Sequence, residues 1–408
     1  MEVFVTRQPI FDRDERVVGY ELLYRDNRRS ERAPSMVSTD MAHSILVDAF
    51  LGIGLENVTH GKPAYINCDR ELLLSGNLEL LDPRQVVLEV LETVEPDAEV
   101  VAACRRLVDA GYRIALDDFA SVERLQPLLE MAEIVKIDVL TWTEAELEAL
   151  VALLSVYEVR LLAEKVESTE VRERCLRLGF ELFQGFLYSR PEMLSRRDVS
   201  TSELQVLRVL NLVRDLDVPD TRIEEAIRVD VSLVYKLLRM VNSAAVGGRG
   251  VRSLGHAIRL LGRQALYRWL AMLVVASARG RGGLDREMAQ TALVRARFCE
   301  LIARRTERRG SGPSLFLAGL FSLLDLLLAT PMEELLGQIE LDEPIRAALL
   351  HRAGTFGAIL ELVEAYENGL WEAVPRLASA VPIPEDQLTP LYLEALAWGQ
   401  VNPPGLEP

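Results

Sequence analysis

The sequence predicts two domains of different class: an α/β barrel with an antiparallel first strand, followed by an all-α helical domain. Three observations carry this reading. Up to about residue 190, short apolar runs alternate with amphipathic helical stretches, the rhythm of βα units. The first two runs are joined only by Asp12–Arg16, which is too short for a helical crossover and makes them an antiparallel hairpin. Beyond about residue 200 the strand rhythm stops, and apolar residues recur at i, i+3 and i+4.

The runs, in order, are Val3–Val5, Val17–Leu23, Pro63–Asn67, Val86–Leu91, Tyr112–Asp117, Glu133–Ile137, Val159–Glu164 and Phe180–Gln184. Helical stretches such as Ala98–Ala110 and Thr143–Ser155 lie between them. So many runs in so short a span favour a closed barrel over an open sheet. The helical half follows as Leu204–Leu216, Ser232–Asn242, Leu254–Leu261, Gln264–Ala278, Arg286–Arg305, Leu315–Leu328, Ile345–His351 and Phe356–Tyr366. The expected organisation is a barrel over 1–195, a polar linker over 196–202, a helical domain over 203–398 and a tail over 399–408.

Composition narrows the function classes. The 408 residues suit two or three domains at roughly 100–200 residues each. A net charge of −16 argues against nucleic acid, whose binding rests on neutralising phosphates. The first residues, MEVFVTRQPIFDRDER, lack the apolar core of a signal peptide. Leu266–Ala278 and Leu315–Ala329 fall short of the roughly 20 apolar residues of a membrane span, and they contain Arg268 and Asp325. The four cysteines are scattered without CxxC spacing, which fits a reducing, cytoplasmic setting. The four histidines form no metal-binding pattern.

The chemistry lies in what ends each apolar run. The ends are Glu21, Asn67, Glu89, Asp117 with Asp118, Lys136 with Asp138, Glu164 and Gln184. A barrel gathers such ends around one mouth. Polar residues also end strands merely because loops are solvated, but this set is restricted to acids, amides and a lysine. Carboxylate and amide oxygens suit hard cations, Mg²⁺, Mn²⁺ or Ca²⁺, rather than zinc, and Mg²⁺ or Mn²⁺ is the expected cofactor. One or two such ions would offset the repulsion among the acids and could activate a water against a phosphodiester. The lysine would orient that water or offset charge, and Arg25 could clamp a phosphate.

This ordered set resembles the EAL family of cyclic di-GMP phosphodiesterases over about residues 1–195. The signature stands as Glu21-Leu22-Leu23-Tyr24-Arg25, with Asn67 in YINCD, Glu89 in LEVLE, Asp117 and Asp118 in LDDF, Lys136 in KID, Glu164 in AEKVES and Gln184 in FQGFLYSRP. The resemblance implies metal ligation by Glu21, Asn67, Glu89, Asp117, Asp118 and Glu164. It implies water handling by Lys136, Glu164 and Gln184, and substrate contacts from Leu23, Arg25 and Glu167. It also implies dimerisation. Two departures stand out. Ala120-Ser121-Val122 replaces a loop with two glycines, and Lys165 replaces a glycine. Alanine and valine resist any φ > 0 such a loop requires.

The second half resembles the HDOD domain, an HD-related helical module without catalytic residues. RVDVSLVYKLLRMVNSA (Arg228–Ala244), SLGHAIRLLG (Ser253–Gly262) and FLAGLFSLLDLLL (Phe316–Leu328) carry the likeness. There is no His-Asp pair, and Asp325 reads as a structural acid. The resemblance implies an unidentified protein partner through this half. Two functional readings stay open: hydrolysis of cyclic di-GMP to linear pGpG, or a silent EAL receptor or scaffold acting through the helical domain.

Overall fold

Side chains on a strand alternate between its two faces, so a residue two positions before each run's polar end points the same way as that end. In the first unit these residues form one inward layer: Tyr65, Val87, Ala115, Ile134, Leu162 and Leu182 pack together with Ile10. The same rule places Asn67, Glu89, Asp117, Lys136, Glu164 and Gln184 in the next layer up, at the mouth.

The computed structural model describes residues 3–26, 55–119, 121–185, 201–242, 253–277, 283–306, 309–328, 330–339 and 341–400. It divides into two units, Met1–Glu192 with Tyr366–Trp371, and Met193–Ala365 with Glu372–Pro408.

In the first unit the strands are β1 (Val3–Asp12), β2 (Val17–Asp26), β3 (Ala64–Cys68), β4 (Val86–Val90), β5 (Arg113–Leu116), β6 (Ile134–Asp138), β7 (Arg160–Glu164) and β8 (Leu182–Phe183). They close into a barrel in chain order. β1 runs antiparallel to both β2 and β8, and every other pairing is parallel. The Asp12 carboxylate tightens the β1–β2 turn by accepting the N–H groups of Asp14 and Arg16 at 2.9 and 2.8 Å.

β1 is longer than its apolar run because its polar residues are held by the hairpin. Thr6, Arg7 and Gln8 stand opposite Leu23, Leu22 and Glu21. Arg7 is buried, donates to the Val58 carbonyl and lies 4.3 Å from the Tyr20 ring centre. Gly19 makes room for the inward layer. A Cβ there would stand 2.5 Å from the Tyr65 ring.

The intervening helices start on side-chain caps. Asp97 caps Ala98–Asp109, Thr143 caps Glu144–Leu154 in a capping box with Glu146, and Ser168 caps Thr169–Leu178.

The second unit is helical, as expected, with some differences in extent. The segment expected as one helix over Leu315–Leu328 is two, Gly312–Phe321 and Leu324–Leu328. Ser322 lies at the break. Its hydroxyl donates to the Gly319 carbonyl at 2.7 Å and accepts from Arg295 at 2.9 Å. Asp325 accepts the Leu326 N–H at 3.0 Å, and burial raises its pKa. Four further helices lie outside the expected helical segments: Asp220–Arg228, Met332–Gln338, Val374–Ala380 and Leu388–Gln400.

A buried acid organises this unit. Glu300, 3% exposed, receives a two-pronged contact from Arg268 at 2.9 and 2.9 Å, and further contacts from Arg297 at 2.8 Å and Arg304 at 3.0 Å. Arg268 also stacks 3.7 Å from the Phe316 ring centre. Among the described residues no helix is long and apolar enough to cross a membrane. All four cysteines are buried and form no disulfide.

Candidate active site

Lys136 sits in the middle of β6 and is 1% exposed. Its ammonium meets four carboxylates carried on or just after four other strands, with Glu21 in the middle of β2 and not at the end expected of its run: Asp117 at 2.8 Å, Glu89 at 3.0 Å, Glu164 at 3.0 Å and Glu21 at 3.2 Å. Glu21 comes from β2, Glu89 from β4, and Glu164 ends β7. Asp117 follows β5, its N–H bonded to the Val90 carbonyl at 3.0 Å.

Two amides complete the group. Asn67 stands beside Glu89 across the β3–β4 ladder and donates from Nδ2 to Glu21 Oε1 at 3.3 Å. Gln184 follows β8 and donates from Nε2 to Glu21 Oε2 at 2.7 Å and to Gln8 Oε1 at 3.0 Å. The next residue, Gly185 (φ 149°), passes so close to Val166 that a Cβ would stand 2.2 Å from its backbone N.

The four acids experience this pocket differently. Burial pushes the Glu21 carboxyl up, but Lys136, Gln184 and Asn67 outweigh it and hold its pKa below the usual value. At Glu89 both oxygens are buried without an aligned hydrogen bond, and the Lys136 ammonium stands 3.0 Å from Oε1. Burial and the neighbouring Glu21 push its pKa well up. Burial also lifts Glu164 to about 7, with Asp117 and Glu21 adding to it against the pull of Lys136. Burial opposes a charged Lys136, but the surrounding carboxylates raise its pKa well above the ordinary value.

One ammonium faces four carboxyl groups, and the raised pKa values of Glu89 and Glu164 reflect the crowding of like charge around it. As the side chains stand, no three acids, histidines or cysteines among the described residues close on a common point as metal ligands. The Lys136 ammonium fills the middle of the group. The residues nonetheless fit a hard divalent cation. The donors are carboxylate and amide oxygens, four carboxyl groups crowd one ammonium, and both Glu89 oxygens are buried without an aligned hydrogen bond.

Other expected site residues lie outside this ring. Asp118 is exposed, with φ 41° and a pKa raised by burial of its carboxyl and by Asp117. Leu23 is half-buried on the same strand face as Glu21. Glu167 is exposed. Arg25 falls within β2, but its side chain lies outside the described residues. The altered loop is not strained at Val122. That residue opens the helix Val122–Leu129, and Ser121 caps it by accepting the Arg124 N–H at 3.4 Å. Ala120 lies outside the described residues. Two participants went unassigned at the sequence level. Gln8 enters only through the β1–β2 register. Asp138, noted as a strand end, pairs with Lys165 Nζ at 2.6 Å.

Comparison with known proteins places this geometry. The model of the EAL domain matches residues 68–191, and that of the HDOD domain matches residues 202–373. The uncharacterized protein YuxH of Bacillus subtilis is 34% identical over 98% of both chains. CdgJ of Vibrio cholerae, a cyclic di-GMP phosphodiesterase, is 30% identical over 97% of this chain and 92% of its own. The chain belongs to the EAL–HDOD family. Among solved structures, an EAL-domain protein, YkuI of Bacillus subtilis with cyclic di-GMP and calcium, shares 19% identity at a TM-score of 0.38, covering 65% of this chain and 72% of its own. The EAL match begins one residue after Asn67; Glu21 joins the matched segment through Lys136, and Asn67 contacts Glu21.

Proposed function

We propose that the EAL barrel binds cyclic di-GMP together with Mg²⁺ or Mn²⁺ and hydrolyses one phosphodiester to linear pGpG, while the HDOD unit engages a protein partner. The observation that carries this reading is Lys136 ringed by Glu21, Glu89, Asp117 and Glu164 at the mouth of a closed barrel. The likeness to CdgJ over nearly the whole chain supports it. The four buried cysteines, none in a disulfide, support a reducing, cytoplasmic setting.

Glu21, Asn67, Glu89, Asp117, Asp118 and Glu164 would hold the cation. A bound divalent ion supplies a water of lowered pKa and offsets charge at the phosphodiester. Gln184 fixes Glu21 through Nε2, and its Oε1, buried without a donor, can accept from a water. Lys136 holds the carboxylates in place and offsets negative charge in a pocket with little water. Leu23, Arg25 and Glu167 would contact the nucleotide outside the ring.

A second reading, a receptor that binds without turnover, is favoured by one observation: Lys165 occupies Asp138 at the same rim. Glu21→Ala separates the possibilities. On the enzymatic reading, wild-type protein forms pGpG and Glu21→Ala does not. Unchanged turnover in Glu21→Ala would sink the site assignment, and nucleotide binding without pGpG in the wild type would establish the receptor.

A further inference from the structure

The barrel mouth carries a second charge group outside the Lys136 ring. Asp138 ends β6 and is 8% exposed. Its Oδ1 accepts the Leu140 N–H at 3.0 Å, and its Oδ2 meets Lys165 Nζ at 2.6 Å. Asp138 and Glu164 are register partners across β6 and β7, and Lys165 follows Glu164 directly. The Lys165 backbone sits at φ 54°, in the left-handed region that non-glycine residues seldom occupy. Asp118, at φ 41°, also lies within the field of the Lys165 charge, as does Glu164. One ammonium therefore faces three carboxylates that the Lys136 ring does not fully neutralise.

We propose that Lys165 is a built-in cation for the outer carboxylate Asp138, so that the mouth holds one divalent ion, at the inner ring, and not two. This rests on reading the barrel mouth as a cation site. A second divalent ion would need the Asp138 oxygen that Lys165 already contacts. It would also stand beside a fixed positive charge, which repels it. The Lys165 side chain is 55% exposed, so its removal leaves the barrel core untouched. The ammonium supplies charge but cannot ligate a water, which makes the lysine a limit on how many ions bind rather than a substitute ligand.

The test is Mn²⁺ stoichiometry on the full chain, followed by electron paramagnetic resonance of free Mn²⁺. Lys165→Gln removes the charge at similar length. Lys165→Gly also relieves the positive φ, and Lys165→Arg keeps the charge. The expected result is one more bound Mn²⁺ per chain in Lys165→Gln and Lys165→Gly, with Lys165→Arg matching the wild type. Equal stoichiometry in wild type and Lys165→Gln overturns the inference, as does a wild type that already binds two. Cyclic di-GMP binding is read separately by calorimetry. Its absence alongside a gained Mn²⁺ would remove the proposed nucleotide function and leave the Lys165 assignment standing.

Discussion

Lys136 Nζ lies 3.2 Å from Glu21 Oε2, closing a buried contact between residues 115 positions apart. It places the first functional strand against β6 and gathers the acids of three further strands around the same ammonium. Removing one partner of a buried ion pair typically costs about 3–5 kcal/mol, because a charge is left without compensation. Lys136→Met is therefore expected to lower stability by about that much in the presence of a chelator. Urea unfolding checks it, and an unchanged midpoint would show that the ring is not held by its lysine.

Gly19 and Tyr65 form the steric counterpart, one layer below. A Cβ on Gly19 would come within 2.5 Å of the Tyr65 ring. Gly19→Ala should destabilise the chain by about 1–3 kcal/mol through overpacking. Tyr65→Leu in the same chain should return part of that loss, so the two effects are less than additive. Additive effects in thermal unfolding would place the strain elsewhere.

In the helical unit, Glu300 balances Arg268, Arg297 and Arg304. Burial opposes its ionisation, but Arg268 first and then Arg297 and Arg304 keep its pKa below the usual carboxylate value. Glu300→Gln leaves three arginines without their shared acid and should cost about 3 kcal/mol or more. Mn²⁺ binding at the barrel should stay unchanged in that variant. A loss of both would contradict a structural role confined to the helical unit.

His60 gives a pH signature for the barrel. Burial, and then the Arg7 charge, depress its pKa from 6.5 to about 4. The unfolded chain takes up this proton near pH 6.5 and the folded chain only near 4. Stability from His60 is thus full above about 6.5 and falls as pH drops from there towards 4. The slope is at most about 1.4 kcal/mol per pH unit for one proton, and less because the ring is partly exposed. His60→Asn, which tolerates the local φ of 53°, should flatten stability over that window. A variant as pH-sensitive as the wild type would assign the titration to another group.

The sequence shows the barrel clearly because each strand is a short apolar run with a polar end. Inward layers at a spacing of two residues then follow from strand geometry alone. What escaped it depended on pairing. Thr6, Arg7 and Gln8 carry no strand signal, yet hairpin register holds them in β1, and Gln8 meets Gln184 only there. The break at Ser322 depends on Arg295 from another helix. The loss of the two loop glycines suggested strain at Val122, but Ser121 turns that stretch into a helix start, and the positive φ falls at Asp118 and Lys165. The polar residues proposed as metal ligands were legible as a set, whereas the lysine at their centre and the one at their rim were legible only as residues, not as contacts.

The central claim is a cation-dependent phosphodiesterase built on the Lys136 ring. Its most direct test follows nucleotides by chromatography after purified protein is incubated with cyclic di-GMP and Mg²⁺ or Mn²⁺. The account predicts linear pGpG from the wild type, none with a chelator and none from Asp117→Asn. Absence of pGpG in every condition, or equal turnover in Asp117→Asn, would contradict it.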